Sequence, residues 1–425
     1  MKASFDSFMS STSELVLQPR MGFSLPRAMR NGLRGVKGAD AHPCVGTITV
    51  DALTRLGHYD RAAAALANGE SLNGYPIVTH PAKVTRALLD GLFDASFPVQ
   101  VRHGSPAPMR IFECTAAAGL DALEGGPVSY SMPYSRAPLA DSVARWREAT
   151  GYWAEHGRRT GVAAHLESFG GCMFGQLSPP SPLVALSVLE CGFFRENGIT
   201  SASLSLAQGT SDEQDIGALV ALDRLAARHL GDMSYHVVFY TFMGRFPRTR
   251  KGAEEILRTS ARIAIAGRAR RLIVKTAAEA HGIPTIEQNV DALRQARESA
   301  DAADPRPSVV ALAWADVIEQ EAESLIAAVR GLAPNLGDGL LRSFADGVLD
   351  LPHVPHPALR GLARAGIDET GALIWTRTGA MPIRQRGTDA PLRDLDSASF
   401  ERALDLNRVR YDGVSDENGK ERVDA

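Results

Sequence analysis

Eight short runs of β-branched or alternating apolar residues recur along the chain, each followed by a stretch that favours helix. The runs cover residues 14–19, 45–49, 99–102, 123–129, 162–167, 201–207, 236–241 and 272–275. Ala-, Leu- and Arg-rich helical patterns lie between them, as at 139–155, 182–197, 212–229 and 251–265. Strands that alternate with helices in this way form a parallel sheet. Eight units is the count of the α/β class (β/α)8 TIM barrel. An open doubly wound sheet uses the same units, because periodicity alone does not close a barrel. The barrel is expected over residues 1–300, with a C-terminal helical and irregular extension over 301–425. That extension opens with helical patterns: 285–300 leads into it and 309–332 lies within it. Its tail, from Pro352, is rich in Pro, Gly and charge and carries one strand at 372–376. The polar residues 412–425 are expected to be mobile.

Composition narrows the function classes. Of 425 residues, 44% are hydrophobic and 22% charged, an ordinary soluble balance. A net charge of −3 gives no chain-wide attraction to nucleic acid or an anionic membrane. The basic runs 245–251 and 268–271 are local and read as solvated helix ends or loops. No apolar stretch reaches the roughly 18–20 residues that span a bilayer. The Ser-rich first 17 residues lack the apolar core of a signal peptide. Cys44, Cys114, Cys172 and Cys191 form no C-x-x-C pair. Neither a zinc site nor a disulfide framework is expected; buried free thiols in a reducing cytoplasm are.

In a βα barrel the chemistry sits where the strands end. The first run ends in Gln18-Pro19-Arg20, before Met21-Gly22. The second leads into Asp51 to Arg55, and the third ends in Arg102-His103-Gly104. The fourth carries Glu124-Gly125-Gly126, then Tyr130 and Tyr134; the last ends in Lys275, four residues before Glu279. Three guanidinium groups on adjacent strand ends repel one another unless an anion joins them. Arg forks match carboxylates and phosphates, so a dicarboxylate or a phosphate fits. Glu124 would take an ammonium group, which makes an amino dicarboxylic acid the ligand that satisfies the whole set. Each Arg pairing with a local acid is the alternative. Tyr130, Tyr134 and His103 also suit packing, and Lys275 with Glu279 suits a helical surface ion pair. Gly125-Gly126 and Gly170-Gly171 match no phosphate-binding loop.

Longer motifs add a resemblance. They are Thr54-Arg-x-x-x-Tyr-Asp60, Ser71-Leu-Asn-Gly-Tyr-Pro76, Val101-Arg-His-Gly-Ser-Pro106 and Glu124-Gly-Gly-Pro-Val-Ser-Tyr-Ser-Met-Pro-Tyr134. Met243-Gly-Arg-Phe-Pro247 and the segment from Val274 to Thr285 follow, with a weaker echo at Gly347 to Pro352. In this order they resemble the epsilon subunit family of glutamate mutase. The resemblance implies a (β/α)8 barrel that interconverts L-glutamate and (2S,3S)-3-methylaspartate with adenosylcobalamin. It implies a radical mechanism: homolysis of the cobalt–carbon bond, hydrogen abstraction from the substrate, then fragmentation and recombination. Position by position, it implies that Arg20, Arg55 and Arg102 clamp the substrate carboxylates, with His103 in the same site. Glu124 would meet the amino group, with Tyr130 and Tyr134 completing the pocket; Glu124 and Arg102 would be the catalytic pair. Gly22, Asn73, Pro133, Phe246, Lys275, Glu279 and Ile283 match positions that contact adenosylcobalamin, Lys275 and Glu279 at its ribose. Two positions depart from the family pattern: Pro127 and Arg245 stand where glycine is usual.

Family cobalamin domains carry Asp-x-His-x-x-Gly, whose His ligates cobalt from below. The nearest string here, Asp40 to Gly46 around His42, has its glycine one residue late and precedes a strand. The resemblance therefore implies a separate small cobalamin-binding subunit, in a heterotetramer of two large and two small chains. Two other readings share these motifs: a mutase for another amino dicarboxylate in natural-product biosynthesis, and a non-catalytic paralogue that binds a partner. Glu124 favours an amino substrate over a keto acid, and the intact Arg, Glu and Lys set disfavours the paralogue.

Overall fold

The computed structural model describes residues 4–133, 135–172, 177–384 and 397–413. Helix α1 (Phe5–Ser11) precedes β1 (Val16–Pro19), α2 (Pro26–Lys37) and β2 (Gly46–Thr49). Then come α3 (Ala52–Arg55), α4 (Tyr59–Ala67), α5 (Ala82–Leu89), β3 (Val99–Arg102), α6 (Met109–Ala118) and β4 (Ala122–Glu124). The second half of the ring is α7 (Leu139–Thr160), β5 (His165–Gly171), α8 (Pro180–Glu196), β6 (Ser201–Ala207), α9 (Asp212–Leu230), β7 (Ser234–Tyr240), α10 (Arg250–Ala266) and β8 (Arg271–Val274). Beyond it lie α11 (Ile286–Asp301), α12 (Val309–Leu332), α13 (Leu336–Asp346), β9 (Arg364–Ile367), β10 (Leu373–Arg377) and α14 (Ser397–Gly413).

Strands β2 to β8 pair in sequence order, all parallel, and β8 pairs with β1. A parallel bridge between Leu17 and Cys44 joins β1 to β2: Leu17 N–H donates to Pro43 O at 3.0 Å and Val45 N–H to Leu17 O at 2.9 Å. The ring is closed, which removes the open sheet and gives a (β/α)8 barrel. The helices obey the sequence locally. α2 starts on Pro26 and buries Met29, Leu33 and Val36 along one stripe. α7 buries Trp146 and Trp153, two turns apart, and stops at Gly161 with φ +67°. α8 is buried almost all round, because it lies between the β5–β6 wall and helices α12 and α13.

Two expectations need correction. The fourth strand was expected over 123–129 but stops at Glu124. Gly125, at φ +134°, turns the chain, and residues 125–133 fold over the mouth; Val128 and Tyr130 are buried there without being in a strand. The basic run 268–271 is solvated only in part: Arg268 is exposed just beyond α10, but Arg271 is not. Arg271 is 0% exposed and sits on β8 inside the barrel.

The barrel interior is polar. Low in it, Phe5 of α1 packs on His165 (4.5 Å between ring centroids) and lies 5.0 Å from the Arg271 guanidinium. At mid-height, Arg271 meets Gln18, Gln100, Glu167 and Ser203. The mouth is formed by Arg102, Glu124 and Tyr240. Buried polar groups in such number are tolerable only when they satisfy one another.

After the barrel, α12 packs against α8 and α9. The strand expected at 372–376 is β10, antiparallel to β9, and the Gln214 side chain bonds both N–H and C=O of Leu373 at 2.9 Å. α14 packs on α10. Arg245 holds it through Glu401 (2.7 Å) and Asp405 (3.4 Å), and Asp412 accepts from the Arg248 and Thr249 N–H groups at 3.0 Å. The arginine that departs from the family pattern is thus a tie for the C-terminal helix. Residues 414–425, most of the segment expected to be mobile, lie outside the described residues. Among the described residues, no helix is long and apolar enough to cross a membrane. The four cysteines are unpaired; Cys44, Cys172 and Cys191 are buried and Cys114 is half-buried.

Candidate active site

The mouth is built on two buried ion pairs, one above the other. In the lower pair Arg271 meets Glu167, both 0% exposed. Arg271 uses every donor of its fork. Nε donates to His236 Nε2 (3.2 Å), NH1 to Gln18 and to Gln100 Oε1 (2.8 Å), NH2 to Glu167 and to Ser203 Oγ (3.1 Å). In the upper pair Arg102 Nε donates to Glu124 Oε2 at 2.6 Å. That is the one hydrogen bond Arg102 makes among the described residues, although it is only 5% exposed, and its NH1 is buried without a partner. The Tyr240 ring lies 5.0 Å from its guanidinium. Burial works against the Arg102 charge, yet Glu124, then Tyr240 and Tyr130, hold it well above the ordinary arginine value.

Tyr240 links the two levels: its hydroxyl contacts Glu124 Oε2 at 3.0 Å and also Glu167 Oε1. Tyr130 donates to the other oxygen of Glu124. Glu124 is therefore held from three sides, and its position is fixed by residues on β3, β7 and the 125–133 segment.

The other two arginines flank this pair. Asp51 caps α3 by accepting from Leu53 and Thr54 N–H (2.9 and 3.0 Å), which orients the short helix that ends in Arg55. The Arg55 stem crosses Gly104, where a Cβ would lie 2.8 Å from Arg55 Cδ; Gly104 also has φ +71°. Arg20 donates to Glu279 at 2.8 Å and is 42% exposed. Lys275 reaches the same Glu279 oxygen at 2.9 Å. This pair is no helical surface contact, because Lys275 directly follows β8, is 5% exposed and lies 5.5 Å from the Phe246 ring centroid. Burial, with Arg20 and Arg102 adding to it against the pull of Glu279, brings Lys275 down to about 8. Burial opposes ionisation of Glu279 too, but Lys275 and Arg20 outweigh it and hold the carboxyl below its usual value.

Beside this cluster Arg20, Gly22, Asn73, Glu279 and Ile283 line one groove of about 200 Å³. Gly22 lets three backbone segments meet: a Cβ there would be 2.6 Å from Thr49 O and 3.3 Å from the Gly74 Cα. Asn73 Oδ1 accepts from Ala52 N–H at 3.0 Å, leaving its amide nitrogen to the groove side. Ile283 is 60% exposed on the rim, and Pro133 is half-buried where the 125–133 segment ends.

His103 faces the other way from Arg102, as strand alternation requires. Its ring packs on Phe112, Tyr130 and Trp146, and Nδ1 accepts from Ser105 N–H at 3.0 Å. Burial pulls it down to about 3, so it is neutral. It stands in the wall behind Tyr130. Tyr134 lies outside the described residues. His42 precedes β2, at the end of the barrel opposite the mouth, and its Nε2 contacts Lys37 O at 2.8 Å.

Sequence reasoning did not find Tyr240, Glu167 or Arg271. Tyr240 ends β7, so a strand-end reading carried round the whole ring reaches it. Glu167 and Arg271 lie inside strands, and only their inward parity marks them.

A closed parallel barrel whose mouth buries opposite charges among tyrosines places the chain in the (β/α)8 class. Comparison with known proteins gives the family. The model of the methylaspartate mutase E chain family matches residues 2–408. The glutamate mutase epsilon subunit of Haloarcula marismortui is 31% identical over 382 residues, 86% of this chain and 76% of that protein. That of Yersinia enterocolitica is 31% identical over 385 residues, with 86% and 78% covered. That of Halobacterium salinarum is 30% identical over 396 residues, with 89% and 80% covered. The chain belongs to the methylaspartate mutase E chain family, and with it to the isomerases.

Proposed function

We propose that this chain is the large, substrate-holding subunit of an adenosylcobalamin-dependent mutase that interconverts L-glutamate and (2S,3S)-3-methylaspartate. The observation that carries the reading is the incomplete upper ion pair. Among the described residues Arg102 is buried with NH1 unpartnered, beside a carboxylate suited to an ammonium group. A substrate that brings both a carboxylate and an ammonium completes both halves at once. Arg102 forks one substrate carboxylate, and Arg55 and Arg20 take the other. Glu124 holds the amino group, with Tyr130 fixing the Glu124 carboxylate and, by resemblance, Tyr134 closing the pocket. His103 keeps Tyr130 in place from behind. Glu124 and Arg102 are the catalytic residues in this reading, because they touch the reacting molecule and keep water from it.

The groove fits the adenosine side of the cofactor. Lys275 and Glu279 offer a charged donor and acceptor for ribose hydroxyls, and Asn73 offers an amide. Gly22 leaves backbone accessible, and Phe246, Pro133 and Ile283 supply apolar surface. Adenosylcobalamin, when bound, supplies the radical that removes a substrate hydrogen. The cobalt ligand comes from a small partner subunit carrying Asp-x-His-x-x-Gly, since His42 lies at the far end of the barrel. Two large and two small chains form the cytoplasmic heterotetramer.

The test mixes the chain with such a small subunit and adenosylcobalamin without oxygen, then supplies L-glutamate. Formation of 3-methylaspartate is the expected result. No product, with the cofactor shown to be bound, overturns the reading; turnover of a different amino dicarboxylate moves it to that substrate.

A further inference from the structure

A further buried carboxylate lies beside the mouth, and among the described residues no cation pairs with it. Glu190 is on α8, outside the barrel, and is 0% exposed. Its Oε1 accepts from the backbone N–H groups of Val128 (3.0 Å) and Ser129 (2.9 Å). Its Oε2 accepts from Ser129 Oγ and Ser168 Oγ, both at 2.8 Å. The residue after Ser129 is Tyr130, whose hydroxyl bonds Glu124. The residue before Ser168 is Glu167, the lower carboxylate. Gly126 lets the side chain come this close: a Cβ there would lie 2.1 to 2.2 Å from the Glu190 carboxylate atoms. The same segment is tied a second time, where Ser142 Oγ donates to Pro127 O at 2.7 Å.

We propose that Glu190 is a positioning residue that suspends the mouth segment 125–133 from α8 and so holds Tyr130 on Glu124. The proposal rests on the reading that Glu124 and Tyr130 receive the substrate amino group. The N–H groups of Gly125, Tyr130, Ser131 and Met132 find backbone acceptors, whereas those of Val128 and Ser129 take theirs from Glu190. A planar side chain with an oxygen towards the two N–H groups does this; an alkyl side chain leaves both unpaired. Burial pushes the Glu190 carboxyl up to about 7 against the bonds it accepts, as befits an acceptor placed without a cation.

Glutamine separates shape from charge. In Glu190→Gln the amide oxygen keeps both N–H bonds, and the amide nitrogen donates to two hydroxyls that rotate to accept. Glu190→Leu keeps bulk and removes every bond. Two readouts are taken on the full chain: amide exchange at Val128 and Ser129, and KM against kcat for L-glutamate in the assembled enzyme. The expected result is exchange faster by about tenfold or more in the Leu variant, with KM raised by about tenfold. The Gln variant should stay within roughly threefold of the parent on both. Where the Leu variant does not fold, Ser168→Ala removes one bond to Glu190, together with the acceptor of Gly170 N–H, and should raise KM by roughly threefold with the fold intact. Unchanged exchange in the Leu variant overturns the positioning role, as does a Gln variant as impaired as Leu, or faster exchange with no change in KM. A parent chain without turnover on L-glutamate overturns the substrate reading alone, since the exchange readout does not depend on it.

Discussion

The two buried ion pairs of the barrel have the same chemistry and opposite degrees of completion. Arg271 places all its donors on partners supplied by the chain, whereas among the described residues Arg102 makes one hydrogen bond and leaves NH1 buried and unpartnered. A buried guanidinium is costly unless its fork is filled. The lower pair therefore reads as scaffold, closed on itself. The upper pair reads as a site that a ligand completes. Tyr240 stands between them and lets the finished level fix the unfinished one.

The largest effect that separates the two levels is on stability. Arg271→Met strands Glu167 in the barrel centre and should cost about 3–5 kcal/mol, read as a shift in the denaturation midpoint. A loss below about 1 kcal/mol would mean that the lower pair is not scaffold. Tyr240→Phe, which keeps the ring and removes the hydroxyl, should cost about 1–3 kcal/mol. A double-mutant cycle with Arg102→Leu should then give a coupling energy well away from zero; additive losses would make the two levels independent.

Glu190 extends the comparison to a carboxylate without a cation. Its folded value, about 7, lies above the ordinary 4.5, so the folded chain binds the extra proton between those values. Its contribution to stability is fully present below about 4.5 and is lost as pH rises through about 7. Glu190→Gln should flatten that decline in a pH series of unfolding midpoints, and an unchanged slope would assign the decline to other groups. The smallest effect belongs to an arginine on the surface. Arg245→Gly releases one tie of α14, and should speed proteolytic cleavage of that helix by roughly a few-fold with the barrel's own midpoint unmoved.

Much of the ring was legible because strand and helix periods differ. The third and sixth strands fall where their runs do, at 99–102 and 201–207. The fourth was overextended, since Val128 and Tyr130 alternate with polar residues while being buried by a folded-over segment. The mouth was partly legible: Arg102 and Glu124 end their strands, so type and place together mark them. Arg271 was hidden by its neighbours, because a run of arginines reads as solvated and only the pairing with Glu167 distinguishes the last of the three. Glu190 had no signal at all, as an acid on an Ala- and Leu-rich helix looks like solvent surface until β5 and the 125–133 segment cover it. The charge on Arg245 was visible, but its partners, Glu401 and Asp405, lie on the distant C-terminal helix.

The most direct measurement sets the two arginines side by side in the assembled enzyme. Arg102→Lys keeps the charge and loses the fork. The account predicts a fall in kcat/KM for L-glutamate of about a hundredfold or more, with an unfolding midpoint close to the parent's. Near-normal kcat/KM in that variant would contradict the claim that the incomplete upper pair is the substrate site.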